Sequence, residues 1–408
     1  MYIKNCRVCK GTDLHKFLDF GLQPAADAFV TKEQLNEEEP KFPLEVWFCK
    51  TCGHMQLGYI AAREPLYRSF RYLSSVSMTM KRNFENIASY IVTNFGLGKD
   101  SLVVDIGCND GSLLRAFRAL GTRVLGVDPS PTVEFAIADG IDVVKNFFSE
   151  DVGQMISEKY GKVSAVTGTN VFAHIEDYDT FLNGMNRMLT DDGILMFEFP
   201  YLVDTLKEFE FDTIYHEHLS YFSIRPLVVL FKRFNMEIFD VKRTPMHGGS
   251  IRIFVKKNIG KWKKTNAVDE LLKLEKEMKL DELETYVEFA RNVNKVRENL
   301  VSLLTRLKSE GKRIVGNGAA AKGNALLNYC GIGKETIDYL AEMNKLKQGS
   351  YNPGMHIPVV SMEQMHADNP DYMIILPWNI KDDIMRQEQE FKKRGGKFII
   401  PIPTPVIV

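Results

Sequence analysis

Short apolar runs rich in β-branched residues alternate with amphipathic stretches along most of the chain. "SLVVDIG", "RVLGVD", "IDVVKN", "KVSAVTGTN" and "GILMFEFP" read as buried parallel strands, since a strand covered on both faces has no polar side to present. "GSLLRAFRALG" and "YDTFLNGMNRML" lie between them with helical spacing, as a doubly wound α/β sheet requires. "IRPLVVLFKRFN", "MEIFDVKR" and "SIRIFVKK" add a helix and two strands that finish the sheet. From Ala267 to Gly311 a charged amphipathic stretch without internal proline or glycine predicts one or two helices with a solvated face. "KRIVGNGAAAKGNALLNY" then opens a second set of αβ units, continued in "IDYLAEMN" and "DYMIILPWN". The first seventy residues are short on periodicity. The pattern divides the chain into a module at 1–70, an α/β domain at 71–260, a helical connector at 261–310 and a C-terminal α/β domain at 311–408.

Composition narrows the classes. At 408 residues, two or three domains are expected. A hydrophobic content of 45% and a net charge of -1 describe an ordinary globular chain with no global pull towards a polyanion. The basic run "KKNIGKWKK" reads as a solvated connector rather than a nucleic-acid patch. Neither a signal core nor an apolar run of membrane-spanning length stands out, so no membrane partner and a cytoplasmic location are expected.

Four of the six cysteines form two Cys-x-x-Cys pairs, Cys6 with Cys9 and Cys49 with Cys52. Two such knuckles supply the four thiolates of a tetrahedral structural zinc site, which leaves no open position for chemistry. A redox pair is disfavoured, because neither knuckle opens a helix after a strand.

"VVDIGCNDGSLLRAF" is a strand, a turn with Gly107 and Gly111, then a helix. Asn109 stands where the dinucleotide fingerprint needs its second glycine, which disfavours NAD. With acidic Asp105 ahead of the glycines, the stretch resembles the first motif of class I S-adenosylmethionine-dependent methyltransferases. Asp128, closing "VLGVDPS", suits the ribose hydroxyls. By the same resemblance the loops bearing Asn146, Phe147 and Asn170 would flank the adenine and the methionine portion of that cofactor.

Resemblance extends over nearly the whole chain. "PAADAFV", "PLEVWFC", "FRYLSSVS", "DIGCNDGSLL", "YHEHLSYFS", "MHGGSIRIF", "GNGAAAKGNALLNY" and "KQGSYNPGMHIPV" together are similar to the zinc-containing sugar C-methyltransferases. Those enzymes methylate a carbon of a nucleotide-linked 4-keto-deoxysugar. Membership would imply structural zinc, S-adenosylmethionine and a C-terminal domain that anchors the nucleotide sugar. Thymidine diphosphate is the expected nucleotide, with guanosine and cytidine diphosphates open, and C3 is the expected carbon.

Such chemistry accounts for "TIYHEHLSYF" at 213–222. A carbon has no lone pair, so a base must remove a proton beside the ketone while a donor stabilises the enolate oxygen. The family's Tyr-x-Glu-His pattern implies His218 as base, Tyr215 as the enolate-side donor and Glu217 as an orienting or hydroxyl-binding carboxylate. His174 and Tyr72 match further active-site positions of the family. His216 falls on the unconstrained position and, on an extended segment, would point away from Glu217. On the substrate side, Gly316, Gly318, Lys322 and Asn324 of the second glycine turn suit a diphosphate, with Lys347 and Tyr351 as weaker candidates. Trp378 could stack on a base, although a core role is commoner. Methylation of oxygen or nitrogen, or a zinc-ribbon nucleic-acid protein, are the competing readings. No nucleic acid and a monomer are expected.

Overall fold

In the computed structural model, residues 1–62 and 78–408 are described; Tyr72 lies outside them. The first module carries more order than its sequence suggests. β1 (Leu14–Pro24) and β2 (Lys41–Cys49) pair antiparallel, and β3 (Met55–Leu57) extends the sheet. Bulges in β1 hide the alternation, but Leu44, Val46 and Phe48 all turn inward along β2.

The middle sheet is built from β4 (Leu102–Ile106), β5 (Arg123–Val127), β6 (Val143–Val144), β7 (Val163–Thr169) and β8 (Leu189–Pro200). A two-residue strand, β9 (Ser220–Tyr221), leaves this domain and pairs with β3 of the first module. β10 (Met236–Thr244) and β11 (Ser250–Lys257) complete the middle sheet in the order β10-β11-β8-β7-β4-β5-β6. β4 to β8 run parallel, while β11 is antiparallel to both β8 and β10. That mixed seven-stranded sheet is the class I methyltransferase arrangement the sequence predicted. All five β4 residues are buried, as expected for a strand with helices on both faces.

The stretch after Lys264 forms two helices, Asn266–Glu277 and Leu283–Ser309. The second is an internal strut as well as a connector: Tyr286, Phe289, Val293, Val296, Leu300, Leu304 and Leu307 form a buried stripe at helical spacing. Its Tyr286 ring packs 4.4 Å from Phe48 of the first module. The last sheet, from β12 (Ile314–Asn317), β13 (Leu340–Glu342), β14 (Val359–Ser361), β15 (Tyr372–Ile375), β16 (Lys397–Ile400) and β17 (Val406–Ile407), has the order β14-β13-β12-β15-β16-β17 and is parallel except at β17. Lysines of the basic run are spent locally, Lys257 on Asp191, Lys261 on Asp192 and Lys264 on Asp269. Among the described residues no helix is long and apolar enough to cross a membrane.

Candidate active site and metal centre

The two cysteine knuckles converge. The Sγ atoms of Cys6 and Cys52 are 3.6 Å apart, as are those of Cys9 and Cys49, and all four lie within 4.8 Å of one another. Zinc–sulfur bonds of about 2.3 Å set tetrahedral thiolates roughly 3.8 Å apart, so the cluster fits the ion. Each knuckle closes through a backbone bond back to its first cysteine, Lys10 N to Cys6 O at 2.9 Å and Gly53 N to Cys49 O at 2.8 Å.

The cofactor candidates gather at the carboxyl ends of the parallel strands, where such sheets bind ligands. Gly107 and Gly111 have φ of 72° and 78°, and a Cβ on Gly111 would lie 2.7 Å from that of Ala136. Asp128 accepts from the amides of Asn109 at 2.9 Å and Ser130 at 2.7 Å. That fixes a carboxylate with lone pairs to spare for ribose hydroxyls. Asp105 is buried, takes the Thr167 hydroxyl at 2.7 Å, and burial pushes its carboxyl up to about 7. Asn146 and Phe147 follow β6 on the exposed side. Asn170 follows β7 at φ 55°, donating its side-chain amide to His247 Nε2 at 3.1 Å. This cradle of small residues and acidic groups at the carboxyl ends of β4 and β5 fits S-adenosylmethionine.

The decapeptide is a turn rather than an extended segment. A 3₁₀ turn at Phe211–Thr213 runs into a second turn closed by His218 N to Tyr215 O at 3.0 Å. Residues three apart in such a turn lie over one another. The rings of Tyr215 and His218 are accordingly 4.1 Å apart, with the Tyr215 hydroxyl 2.9 Å from His218 Nε2. His218 Nδ1 faces the Thr213 carbonyl at 2.8 Å. A carbonyl can only accept, so Nδ1 carries the proton and the lone pair sits on Nε2. Burial, and then the charge of His174, hold His218 well below its ordinary pKa. The imidazole is therefore neutral, with its lone pair on Nε2. The His174 ring stands 5.0 Å away, and burial lowers its pKa to about 4. Asp177, not His174, caps the following helix.

Glu217 is buried with Oε2 lacking a hydrogen-bond partner among the described residues. Burial and the negative charge of Asp27 raise its carboxyl to about 8, so it is protonated at neutral pH. His216 faces the other way, with Nε2 on the Phe42 carbonyl at 3.3 Å and its ring against Phe42. It packs the turn onto the first module.

The C-terminal candidates divide. Gly316 lies in β12 against Leu340, and Gly318, at φ 86°, leaves no room for a side chain beside Pro377. Lys322 lies against the Phe211–Thr213 turn, with Nζ 4.0 Å from Asp212 Oδ2. Asn324, Lys347 and Tyr351, expected on the nucleotide sugar, lie instead on a seam with the first module. Asn324 donates to the Ala26 carbonyl at 2.8 Å and accepts from Asn352 at 3.2 Å. Lys347 binds Asp27 at 2.7 Å and the Ala319 carbonyl at 3.0 Å. The Tyr351 backbone bridges Val30. Trp378 is buried and donates to Asp212 at 2.8 Å.

Sequence reasoning overlooked Thr213, Glu210, Asp212 and Asp27. The acidic "EFEFD" immediately before the decapeptide was the available signal for two of them.

Three family models match: "Putative zinc binding domain" over 6–67, "Methyltransferase domain" over 80–241 and "C-methyltransferase C-terminal domain" over 245–403. The C-methyltransferase NovU of Streptomyces niveus is 37% identical over 407 residues, covering 100% of this chain and 97% of NovU. Among solved structures, magnesium protoporphyrin IX methyltransferase (ChlM) from Synechocystis PCC 6803 with bound SAM is 15% identical, with TM-score 0.32 over 43% of this chain and 79% of that one. N-methyltransferase NodS from Bradyrhizobium japonicum WM9 is 11% identical, with TM-score 0.33 over 44% and 98%. Likeness at that level carries no functional inference. The zinc-fitting cysteines, the methyltransferase sheet and the full-length match agree, and the chain belongs to the family of S-adenosylmethionine-dependent C-methyltransferases with an N-terminal zinc-binding module.

Proposed function

We propose that this enzyme methylates a ring carbon alpha to the ketone of a nucleotide-linked 4-keto-deoxysugar, after enolisation by His218. The observation that carries the reading is the orientation of His218, whose Nε2 lone pair is presented beside the Tyr215 hydroxyl. A neutral imidazole hydrogen-bonded to a phenol is a base and a donor in one unit. The Tyr215 hydroxyl turns from Nε2 to the ketone oxygen, which frees Nε2 to take the alpha proton. The C–H pair becomes the enolate double bond and the carbonyl π pair moves to oxygen, where Tyr215 donates to it. Protonated Glu217 supplies a second donor for a sugar oxygen, and His174 lies close enough to His218 to pass the proton on. Gly107, Gly111, Asp105, Asp128 and Asn170 would hold S-adenosylmethionine, which supplies an electrophilic methyl group when bound.

The ketone acidifies both flanking carbons, so C3 and C5 are the two chemically equivalent choices. C3 is the family-based expectation. Thymidine diphosphate is the first nucleotide to test, and a cytoplasmic, monomeric enzyme fits a soluble sugar-nucleotide pathway. Methylation of oxygen or nitrogen gains no support from the C-methyltransferase matches, and neither forms an enolate for the Tyr215 hydroxyl to stabilise. Incubating the enzyme with S-adenosylmethionine and a panel of 4-keto nucleotide sugars, followed by mass spectrometry and carbon NMR, tests the proposal. It expects a gain of one methyl bound to C3 or C5; a methyl on oxygen refutes it.

A further inference from the structure

Lys322 is half-buried, with its Nζ shut from solvent and without a hydrogen-bond partner among the described residues. Its side chain is 16% exposed, and its nearest anion, Asp212 Oδ2, is 4.0 Å away, beyond hydrogen-bonding reach. Asp212 is itself immobilised by the Trp378 indole N–H at 2.8 Å, and the same indole ring lies 5.3 Å from the Lys322 ammonium. Asp212 sits in the turn whose next residue, Thr213, holds His218 through its carbonyl. One rigid turn therefore sets the ammonium and the imidazole in relation to each other. Glu210, at the entry of that turn, is fully buried with neither carboxyl oxygen hydrogen-bonded among the described residues. Gly248 is packed so closely on it that a Cβ would come within 2.1 Å of Oε1. Lys322's positive charge helps depress the basicity of both His218 and His247. The cation thus lies near enough to both imidazoles to be felt by them.

A diphosphate is a poor occupant here. Burial raises both the Glu210 and the Asp212 carboxyls, Glu210 to about 7, and a single ammonium set among carboxyls is too little countercharge for two phosphate groups. A group that is neutral on arrival and becomes negative during the reaction suits the site better. We propose that Lys322 is a catalytic residue that hydrogen-bonds the substrate's ketone oxygen and holds the charge that oxygen acquires as the alpha proton leaves. The assignment rests on the enolate reading above. The alpha C–H bond breaks, its proton goes to His218 Nε2, its electron pair forms the carbon–carbon double bond, and the carbonyl π pair moves to oxygen. There Lys322 Nζ–H joins the Tyr215 hydroxyl as donor. When the carbon–methyl bond forms, the pair returns to carbonyl and both hydrogen bonds weaken.

The test uses the full-length, zinc-loaded enzyme carrying Lys322→Met, Lys322→Gln or Lys322→Arg. Three readouts are taken: thymidine diphosphate affinity by calorimetry, alpha-proton exchange of thymidine diphosphate-4-keto-6-deoxyglucose in deuterium oxide with S-adenosylhomocysteine present, and kcat with KM. Lys322→Met and Lys322→Gln are expected to slow exchange and kcat by about 10²–10³-fold, the usual worth of a donor aimed at a developing oxyanion. Thymidine diphosphate affinity stays at the wild-type value, and Lys322→Arg recovers part of the rate. Two folded variants, one of them polar, guard against a misfolded result. Weakened diphosphate binding with exchange intact at saturation overturns the assignment and returns Lys322 to the phosphates. A wild-type enzyme that exchanges nothing removes the enolate reading itself; an exchanging wild type matched by Lys322→Met removes this assignment alone.

Discussion

Lys322 and Lys347 belong to the same C-terminal domain and end in opposite circumstances. Lys347 is paired at both a carboxylate and a carbonyl, and most groups around it are met: Asn352 accepts from Ile357 N at 2.7 Å, and Asn328 donates to Pro353 O at 2.9 Å. Glu39 of the first module accepts from Gly354 N at 2.7 Å through Oε2, which extends the stitching, while its Oε1 is the seam's own buried atom without a hydrogen bond among the described residues. Lys322, Glu210, Asp212 and Glu217, by contrast, each keep a buried polar atom without a hydrogen bond among the described residues. An unmet buried group costs about 1–3 kcal/mol, so a cluster of them is poor architecture. On the proposed function, the difference separates two jobs that look alike in sequence: the seam holds domains together, and the groups around Lys322 are left to polar atoms that a substrate brings.

Zinc removal strikes the seam hardest. Four thiolates hold the first module, and such sites contribute an apparent ~10–16 kcal/mol in small zinc domains. Chelation should collapse β1–β3 in circular dichroism. Activity should disappear with them, because β9, two residues beyond His218, pairs with β3. Full activity in zinc-free enzyme would detach the module from the site. Away from the seam, His218→Asn should lower turnover about 10²–10⁴-fold with S-adenosylmethionine affinity and melting temperature unchanged. Equal turnover would remove His218 as the base.

Lys347→Met reverses that signature. Stranding Asp27 should cost about 3 kcal/mol in denaturant unfolding while kcat, measured well below the transition, holds. A kcat loss without destabilisation would move Lys347 into the site. The smallest effect is one of pH. Glu217 keeps its proton until about pH 8, well above the ordinary carboxylate range. Raising the pH through that value puts a charge in a buried site and removes a donor, so activity should fall on an alkaline limb near 8. Glu217→Gln, which cannot ionise, should flatten that limb. An unchanged limb would assign it to another group.

Much of this was legible beforehand. The apolar runs gave β4, β5, β7, β8, β10 and β11 and hence the sheet, since strands buried on both faces advertise themselves. The Cys-x-x-Cys pairs gave the metal ligands from spacing. The first module's sheet was missed because bulges in β1 break its alternation. His216 was set aside for a geometry the chain does not adopt: the turn at 215–218, not an extended strand, separates it from its neighbours and leaves it against Phe42. Lys322 and Lys347 could not be told apart, because pairing depends on Asp27 and Asp212, which lie more than a hundred residues away from them in the chain.

The imidazole–phenol pair at His218 and Tyr215 is most directly tested by following hydrogen on the sugar, without any methyl transfer. Enzyme, S-adenosylhomocysteine and thymidine diphosphate-4-keto-6-deoxyglucose are incubated in deuterium oxide and read by proton NMR. The wild type should exchange a single ring proton beside the ketone, and His218→Asn should leave that proton in place. No exchange by the wild type, or equal exchange by both, contradicts it.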